Sequence, residues 1–163
     1  MNAYRERILS LLGRDSPYEV LERTPARLAS LVDALGETGL NRSFDKGKWT
    51  GRQVVAHLAD VEIGVGFRIR QVVSEKDHII QPFDQDAWAR PYRLLDPRIA
   101  SRALAALRPW NLSYFGALAP ADLARVAMHP ERGEESVETM IRMLAGHDRN
   151  HLAQLERILA QTT

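Results

Sequence analysis

Leu28, Leu31, Val32 and Leu35 recur three and four residues apart, with polar, charged or small side chains between them. That spacing places them on one face of a helix. Ser16 before Pro17, and again Thr24 before Pro25, read as an N-cap followed by the first helical residue, and Gly36 stops the run. The same period marks residues 51–75, where Val54, Val55, Leu58, Val61, Val65 and Ile69 supply an apolar side behind a Thr50 cap. It marks 98–118 through Ile99, Leu104, Leu107, Trp110, Tyr114 and Leu118, and 136–160 through Val137, Met140, Ile141, Leu144, Leu152, Leu155 and Ile158. A shorter amphipathic helix fits 3–12 and ends at Gly13.

Between these runs the chain turns polar or proline-rich. Residues 39–50 form a connection anchored by Phe44 and Trp49. Residues 76–97, with Pro82, Pro91 and Pro97, read as a long irregular crossover, and 119–135 as a polar link with a weak hairpin signal near 125–135. Strand-like alternation is otherwise nearly absent. Four principal helices and one long crossover predict an all-α fold, an antiparallel four-helix bundle forming a single domain over residues 1–163.

Composition narrows the function without choosing it. Hydrophobic residues make up 45% and charged residues 26%, as in ordinary soluble domains. The net charge of +1 offers no electrostatic case for nucleic acid or an anionic membrane. No stretch reaches the roughly 18–20 apolar residues of a membrane span, and MNAYRERILSLLGRD has no apolar leader core, which predicts a cytoplasmic protein. There is no cysteine, so disulfides, thiolate metal ligands and a cysteine nucleophile are all excluded. Any metal must be held by His, Asp or Glu. There is no glycine-rich phosphate loop and no serine nucleophile motif.

GHDRNHLAQL, residues 146–155, breaks the apolar pattern of the last helix. His147 and His151 lie about 40° apart on the helical wheel, within the stripe of Met140, Leu144 and Ile158. Their Cβ atoms should be about 6 Å apart, which suits shared coordination of one cation. His57, in VVAHLADVE between Val54 and Leu58, also points inward and is the candidate third ligand. Three histidines with an open position mark a reactive site rather than a closed structural one. Neutral imidazoles suit Zn, Ni, Fe or Cu. The alternative is a set of core histidines satisfied by ordinary hydrogen bonds. His78 and His129, in irregular segments, read as surface residues.

Other candidates share these faces. Asp60, one turn from His57, could orient a ligand, hold water or act as a base; it could equally be an acid at the core boundary. Glu62 points elsewhere, toward solvent or a partner. Gly64 and Arg68 share the face of His57. Gly64 marks room for a ligand or close packing, and Arg68 could meet a substrate carboxylate or an internal ion-pair partner. Gln154 continues the stripe beyond His151 and could bind a ligand or satisfy a buried polar group. On the third helix, Trp110 reads as core, and Asn111 and Tyr114 as pocket lining. Asp148 and Asn150 project away from the histidine stripe and are weaker candidates for coordination.

GKWTGRQVVAHLADVEIGVGFRIR followed by LAGHDRNHLAQLERIL resembles the DinB superfamily in its YfiT-like branch. PFDQDAWA and HPERGE also resemble family segments, and the likeness covers essentially the whole chain in order. It implies an up-down-down-up four-helix bundle, often a homodimer. It also implies a divalent metal, usually nickel or zinc, held at the matching positions His57, His147 and His151. Relatives include thiol-S-transferases that join a low-molecular-weight thiol to an electrophile, and a thiol-dependent isomerase of maleylpyruvate. Many others carry the label of metal-dependent hydrolase. The expectation is therefore a metal-dependent transferase or hydrolase acting on a small-molecule substrate, with neither nucleic acid nor membrane as partner. Lacking cysteine, the chain would take its sulfur from a small thiol. The other class is a stress-response or binding module whose metal site is structural or vestigial.

Overall fold

The computed structural model describes residues 2–162. Seven helices and a hairpin follow in order: α1 (Ala3–Leu12), α2 (Pro17–Leu40), α3 (Gly51–Ser74), α4 (Gln85–Trp88), α5 (Pro97–Gly116), α6 (Pro120–Leu123), β1 (Val126–His129), β2 (Gly133–Ser136) and α7 (Val137–Ala160). A 3-10 turn at Tyr92–Leu94 precedes α5. Among the described residues no helix is long and apolar enough to cross a membrane.

α2, α3 and α7 each have 24 residues, and α5 has 20. Two apolar clusters set their directions. One joins Leu21 of α2, Ile69 and Val72 of α3, Phe115 of α5 and Val137 of α7. The other joins Leu31 and Leu35, Val54 and Val55, Leu104, and Leu155 and Ile158. The early part of α2 thus meets the late parts of α3 and α5 and the early part of α7. α2 and α7 run one way and α3 and α5 the other, which is the up-down-down-up bundle. Because α3 and α5 are parallel, the chain must return along the bundle between them, and residues 75–96 make that crossover.

Helix ends follow the caps. Ser16 accepts from the Glu19 amide, Ser136 from the Thr139 amide, and Thr50 forms a capping box with Gln53. Thr24–Pro25, however, starts no helix: Pro25 lies inside α2. Proline has no N–H to give the carbonyl of Leu21, and that carbonyl instead accepts from the buried Arg108 guanidinium at 2.9 Å. Gly36, at φ 56° and ψ −170°, is not helical and interrupts the run where expected, and a short second piece of α2 follows it to Leu40.

α5 corrects a second expectation. Trp110 is 65% exposed and Ile99 59%. The buried face carries Ser101, Leu104, Arg108, Asn111 and Phe115. Arg108 and Asn111 take inward positions because acids on α3 and α7 await them, so the expected stripe holds only in part: Leu104 is buried and Leu107, Tyr114 and Leu118 half-buried, but Ile99 and Trp110 turn outward.

α1 packs along α7. A Cβ at Gly146 would lie 2.2 Å from the Ile8 carbonyl oxygen, so only glycine allows this approach beside His147. Arg149 donates to the carbonyls of Leu11 and Leu12 at 3.0 and 3.1 Å and pairs with Asp15, closing the end of α1. The hairpin forms where the weak signal lay. An isolated bridge from Ile79 to Met128 ties the crossover to β1.

Candidate metal centre

α3 and α7 bring His57, His147 and His151 together, each buried, with one nitrogen from each ring within 4.8 Å of the other two. Ring centroids are 4.3 Å apart for His147 and His151, 4.9 Å for His57 and His151, and 5.0 Å for His57 and His147. The Nε2 atoms of His57 and His147 are 3.0 Å apart. The edge of a tetrahedron with bonds of about 2.0–2.1 Å is about 3.3 Å, so the pair needs to open by only a few tenths of an ångström to share a cation. Trp49 packs edge-on against His57 at 4.8 Å.

The rings are held neutral. Burial, then the neighbouring His151, pushes His57 down to about 3. Burial lowers His151 to about 4, against the opposing effect of its hydrogen bond to Gln154. His147 falls well below the usual imidazole value through burial and the two other histidines. Neutral imidazole is the form that ligates. His151 Nδ1 meets Gln154 Oε1 at 3.0 Å; the amide oxygen can only accept, so the ring proton sits there and Nε2 keeps its lone pair. The Nδ1 atoms of His57 and His147 are buried without a protein partner. The donor set therefore fits one divalent cation, with the orientation of one ring fixed from behind.

A cavity of about 790 Å³ opens onto His57 and His147. Val61, Met140, Met143 and Leu144 give it an apolar wall, and Arg68 lines it farther along α3. Asp60 does not line it: Tyr92, itself buried, donates its hydroxyl to Asp60 Oδ2 at 2.5 Å. Burial and that carboxylate raise the Tyr92 phenol well above its usual value. Gln154 stands behind His151 rather than on the cavity wall. Tyr114 lies outside the wall and carries the Arg70 guanidinium over its ring at 4.4 Å. Arg68 makes no ion pair among the described residues. It donates to the Gln81 carbonyl at 2.7 Å and lies over the Phe83 ring. A Cβ on Gly64 would meet that ring at an ordinary 3.5 Å; the close approach is at Gly66, where it would lie 2.5 Å from Asn111.

Beside the histidines lies a group that the sequence disclosed only in part. Glu62 is fully buried, not solvated, and Arg108 Nε donates to its Oε2 at 2.9 Å. Arg108 Nη1 donates to Asp148 Oδ2 at 2.7 Å, and Asn111 to Glu62 Oε1 at 2.8 Å. Burial alone would lower the Arg108 pKa, but Asp148 and Glu62 outweigh it and raise it. Asp148 is pushed up by burial against the pull of Arg108. Asn111 thus lies in this lock between helices, not in a pocket. The available signal was Arg108 itself, on a stripe with Leu104, Asn111 and Phe115. His129 also departs from expectation: it is 1% exposed and lines the cavity, because the bridge to Ile79 folds β1 inward.

The sequence profile of the DinB superfamily matches residues 20–155, a span that takes in all three histidines. The chain belongs to the DinB superfamily. It is 33% identical over 136 residues to the candidate metal-dependent hydrolase OB0782 of Oceanobacillus iheyensis, covering 83% of this chain and 79% of the relative. It is 30% identical over 142 residues to a protein of Bacillus mycoides with the same designation, covering 86% and 82% of the two chains. The structure of YfiT from Bacillus subtilis, described as a probable metal-dependent hydrolase with an unusual four-helix bundle topology, superposes with a TM-score of 0.85 at 26% identity, covering 90% of this chain and 85% of that one. Within the superfamily fold, the three-histidine group is the feature of this chain suited to hold the metal those names invoke.

Proposed function

We propose that this chain is a metal-dependent enzyme for small molecules, in which His57, His147 and His151 hold a divalent cation and a low-molecular-weight thiol is transferred to an electrophile. The observation that carries this reading is the convergence of three neutral, buried imidazoles beside a cavity, with no carboxylate joining them among the described residues. A divalent cation such as zinc or nickel, when bound, supplies Lewis acidity that favours the deprotonated form of a thiol or of water.

The chain's own residues do the rest. The imidazoles present lone pairs near neutral pH with no proton to displace. Gln154 fixes the ring of His151. Val61, Met140, Met143 and Leu144 line the approach with apolar surface, which limits competing water. No sulfur comes from the protein, so the thiol enters as a substrate. A free thiol starts near pKa 8.5 and loses its proton without a strong protein base, whereas water starts near 15.7. A three-histidine site can also bring bound water to about pKa 7, so the preference for sulfur rests on the smaller activation that a thiol needs. Hydrolysis is the second reading, favoured by the designations of the relatives.

Zinc-loaded protein, incubated with chlorodinitrobenzene and a panel of small thiols beside p-nitrophenyl acetate, separates these. Conjugation that requires both thiol and bound metal, and that His147→Ala abolishes, is expected. Metal-dependent ester cleavage without thiol would transfer the assignment to hydrolysis. Stoichiometric metal with neither activity would leave a binding module with a structural metal and overturn both.

A further inference from the structure

The end of the cavity remote from the histidines is built by residues that the proposed reaction does not use. Arg68 lies eleven positions beyond His57 on α3, about 16 Å along the helix axis and on the same face. Its guanidinium is held in place by the Gln81 carbonyl at 2.7 Å and by the Phe83 ring 4.9 Å from its centre. Only one of its five N–H groups is thereby engaged, and no carboxylate neutralises it within ion-pair distance among the described residues. Arg132 stands on the same wall but is already matched: its Nε and Nη2 donate to the two oxygens of the buried Glu135 at 2.5 and 2.9 Å.

His129 supplies a second donor. Its Nδ1 accepts from the Glu131 amide at 3.2 Å, so the ring proton is on Nε2. That N–H has no protein partner among the described residues, although the side chain is 99% buried and lines the cavity. Such a donor, facing the cavity, is available to an acceptor that enters it. The hairpin that carries it is tied down: Arg5 donates to the Glu134 carbonyl at 2.9 Å and Asn2 to the Glu131 carbonyl at 3.1 Å. The Ile80 amide donates to the Met128 carbonyl at 2.9 Å, which brings the hairpin beside the segment that holds Arg68. Asp84 and Asp86 also reach this wall, but both are exposed, and Asp84 is occupied in capping α4.

The geometry points to a carboxylate-binding subsite formed by Arg68 and His129, so that the cavity takes an elongated substrate with a carboxylate at one end and its reacting group at the histidine end. Arginine offers a planar fork that a carboxylate can meet with two parallel hydrogen bonds, and the imidazole N–H adds a third. The fork is already oriented, so little side-chain freedom is lost on binding. The inference rests on the reading of the histidine end as the reactive one, and it names the class of molecule that end would receive.

Titration calorimetry with 8-mercaptooctanoate and its uncharged counterpart 8-mercaptooctan-1-ol tests it in zinc-loaded and in metal-free protein. The carboxylate is expected to bind about tenfold or more tightly than the alcohol in both forms. Arg68→Gln should erase that preference while leaving affinity for the alcohol unchanged, and Arg68→Lys should restore part of it. His129→Ala should reduce it by a few-fold. Equal affinities for the two probes in the wild type, or a preference that survives Arg68→Gln, would overturn the subsite, and the wild-type comparison decides even if a variant fails to fold. Failure of zinc to bind would instead count against the proposed function, while the metal-free titration still decides the carboxylate site.

Discussion

Two polar clusters are buried side by side in this bundle and share α3 and α7, but they are built on different rules. In the first, Arg108 is ion-paired with both Glu62 and Asp148, and Asn111 donates to Glu62, across α3, α5 and α7, with Arg108 reaching α2 through the Leu21 carbonyl. In the second, His57 and His147 present nitrogens to each other and leave Nδ1 atoms without protein partners beside a cavity. His147 and Asp148 are adjacent residues and belong to different clusters. Removal from water penalises both; the first recovers most of the cost through its ion pairs, although Arg108 Nη2 and Asp148 Oδ1 also lack a hydrogen-bond partner, whereas the second has no opposite charge to recover it. A buried polar group that the fold satisfies holds the fold together; one that it leaves open at a cavity is available to a ligand.

The largest effect should come from breaking the satisfied cluster. Arg108→Met leaves two carboxylates buried without their cation, and stability measured by urea denaturation should fall by about 3–5 kcal/mol. An equivalent loss from His147→Asn in metal-free protein would erase the contrast, because that change removes a group with little to satisfy.

Acidification tests the histidine cluster from the other side. The folded-state values of His57, about 3, and His151, about 4, lie below the usual 6.5, so the unfolded chain binds more protons between them. Metal-free protein should keep its full stability above pH 6.5 and lose it as the pH falls toward 4, by about 1 kcal/mol per pH unit for each histidine. His57→Asn should flatten the slope of chemical-denaturation midpoint against pH. A slope of the opposite sign would show that the rings carry charge in the fold.

A smaller effect is expected behind the ligands. Gln154→Leu removes the acceptor that orients His151, and affinity for zinc in a competitive chelator titration should weaken about 10–100-fold without loss of the fold. The smallest concerns Asp60. Tyr92→Phe should cost about 1 kcal/mol in thermal denaturation and leave metal content unchanged, since that hydrogen bond lies off the cavity wall. A change in metal stoichiometry would bring Asp60 into the site.

The helices and the histidine triad were legible for the same reason: a 3.6-residue period converts spacing into direction, and His57, His147 and His151 each stand on an inward stripe. Where the partner lies on another element, the period falls silent. Arg108 and Asn111 are inward because Glu62 and Asp148 are, and neither helix shows this alone. His129 is buried by a pairing between Ile79 and Met128, far apart in sequence and without strand alternation to announce it. Pro25 resembled a helix start because its role, freeing the Leu21 carbonyl for Arg108, lies in another helix. The cavity itself is a product of packing: Gly64 and Arg68 on the His57 face hinted at it, and Arg68 lines it, whereas Asn111 and Tyr114 do not.

The central claim is that three imidazoles from α3 and α7 hold one cation. Metal analysis of protein reconstituted with zinc or nickel and then desalted tests it directly, on wild type, His57→Ala and, as a cavity control, His129→Ala. One divalent ion per chain is predicted in wild type and in His129→Ala, with none retained by His57→Ala. Full occupancy in His57→Ala, or a wild-type chain that retains neither metal, would contradict the account.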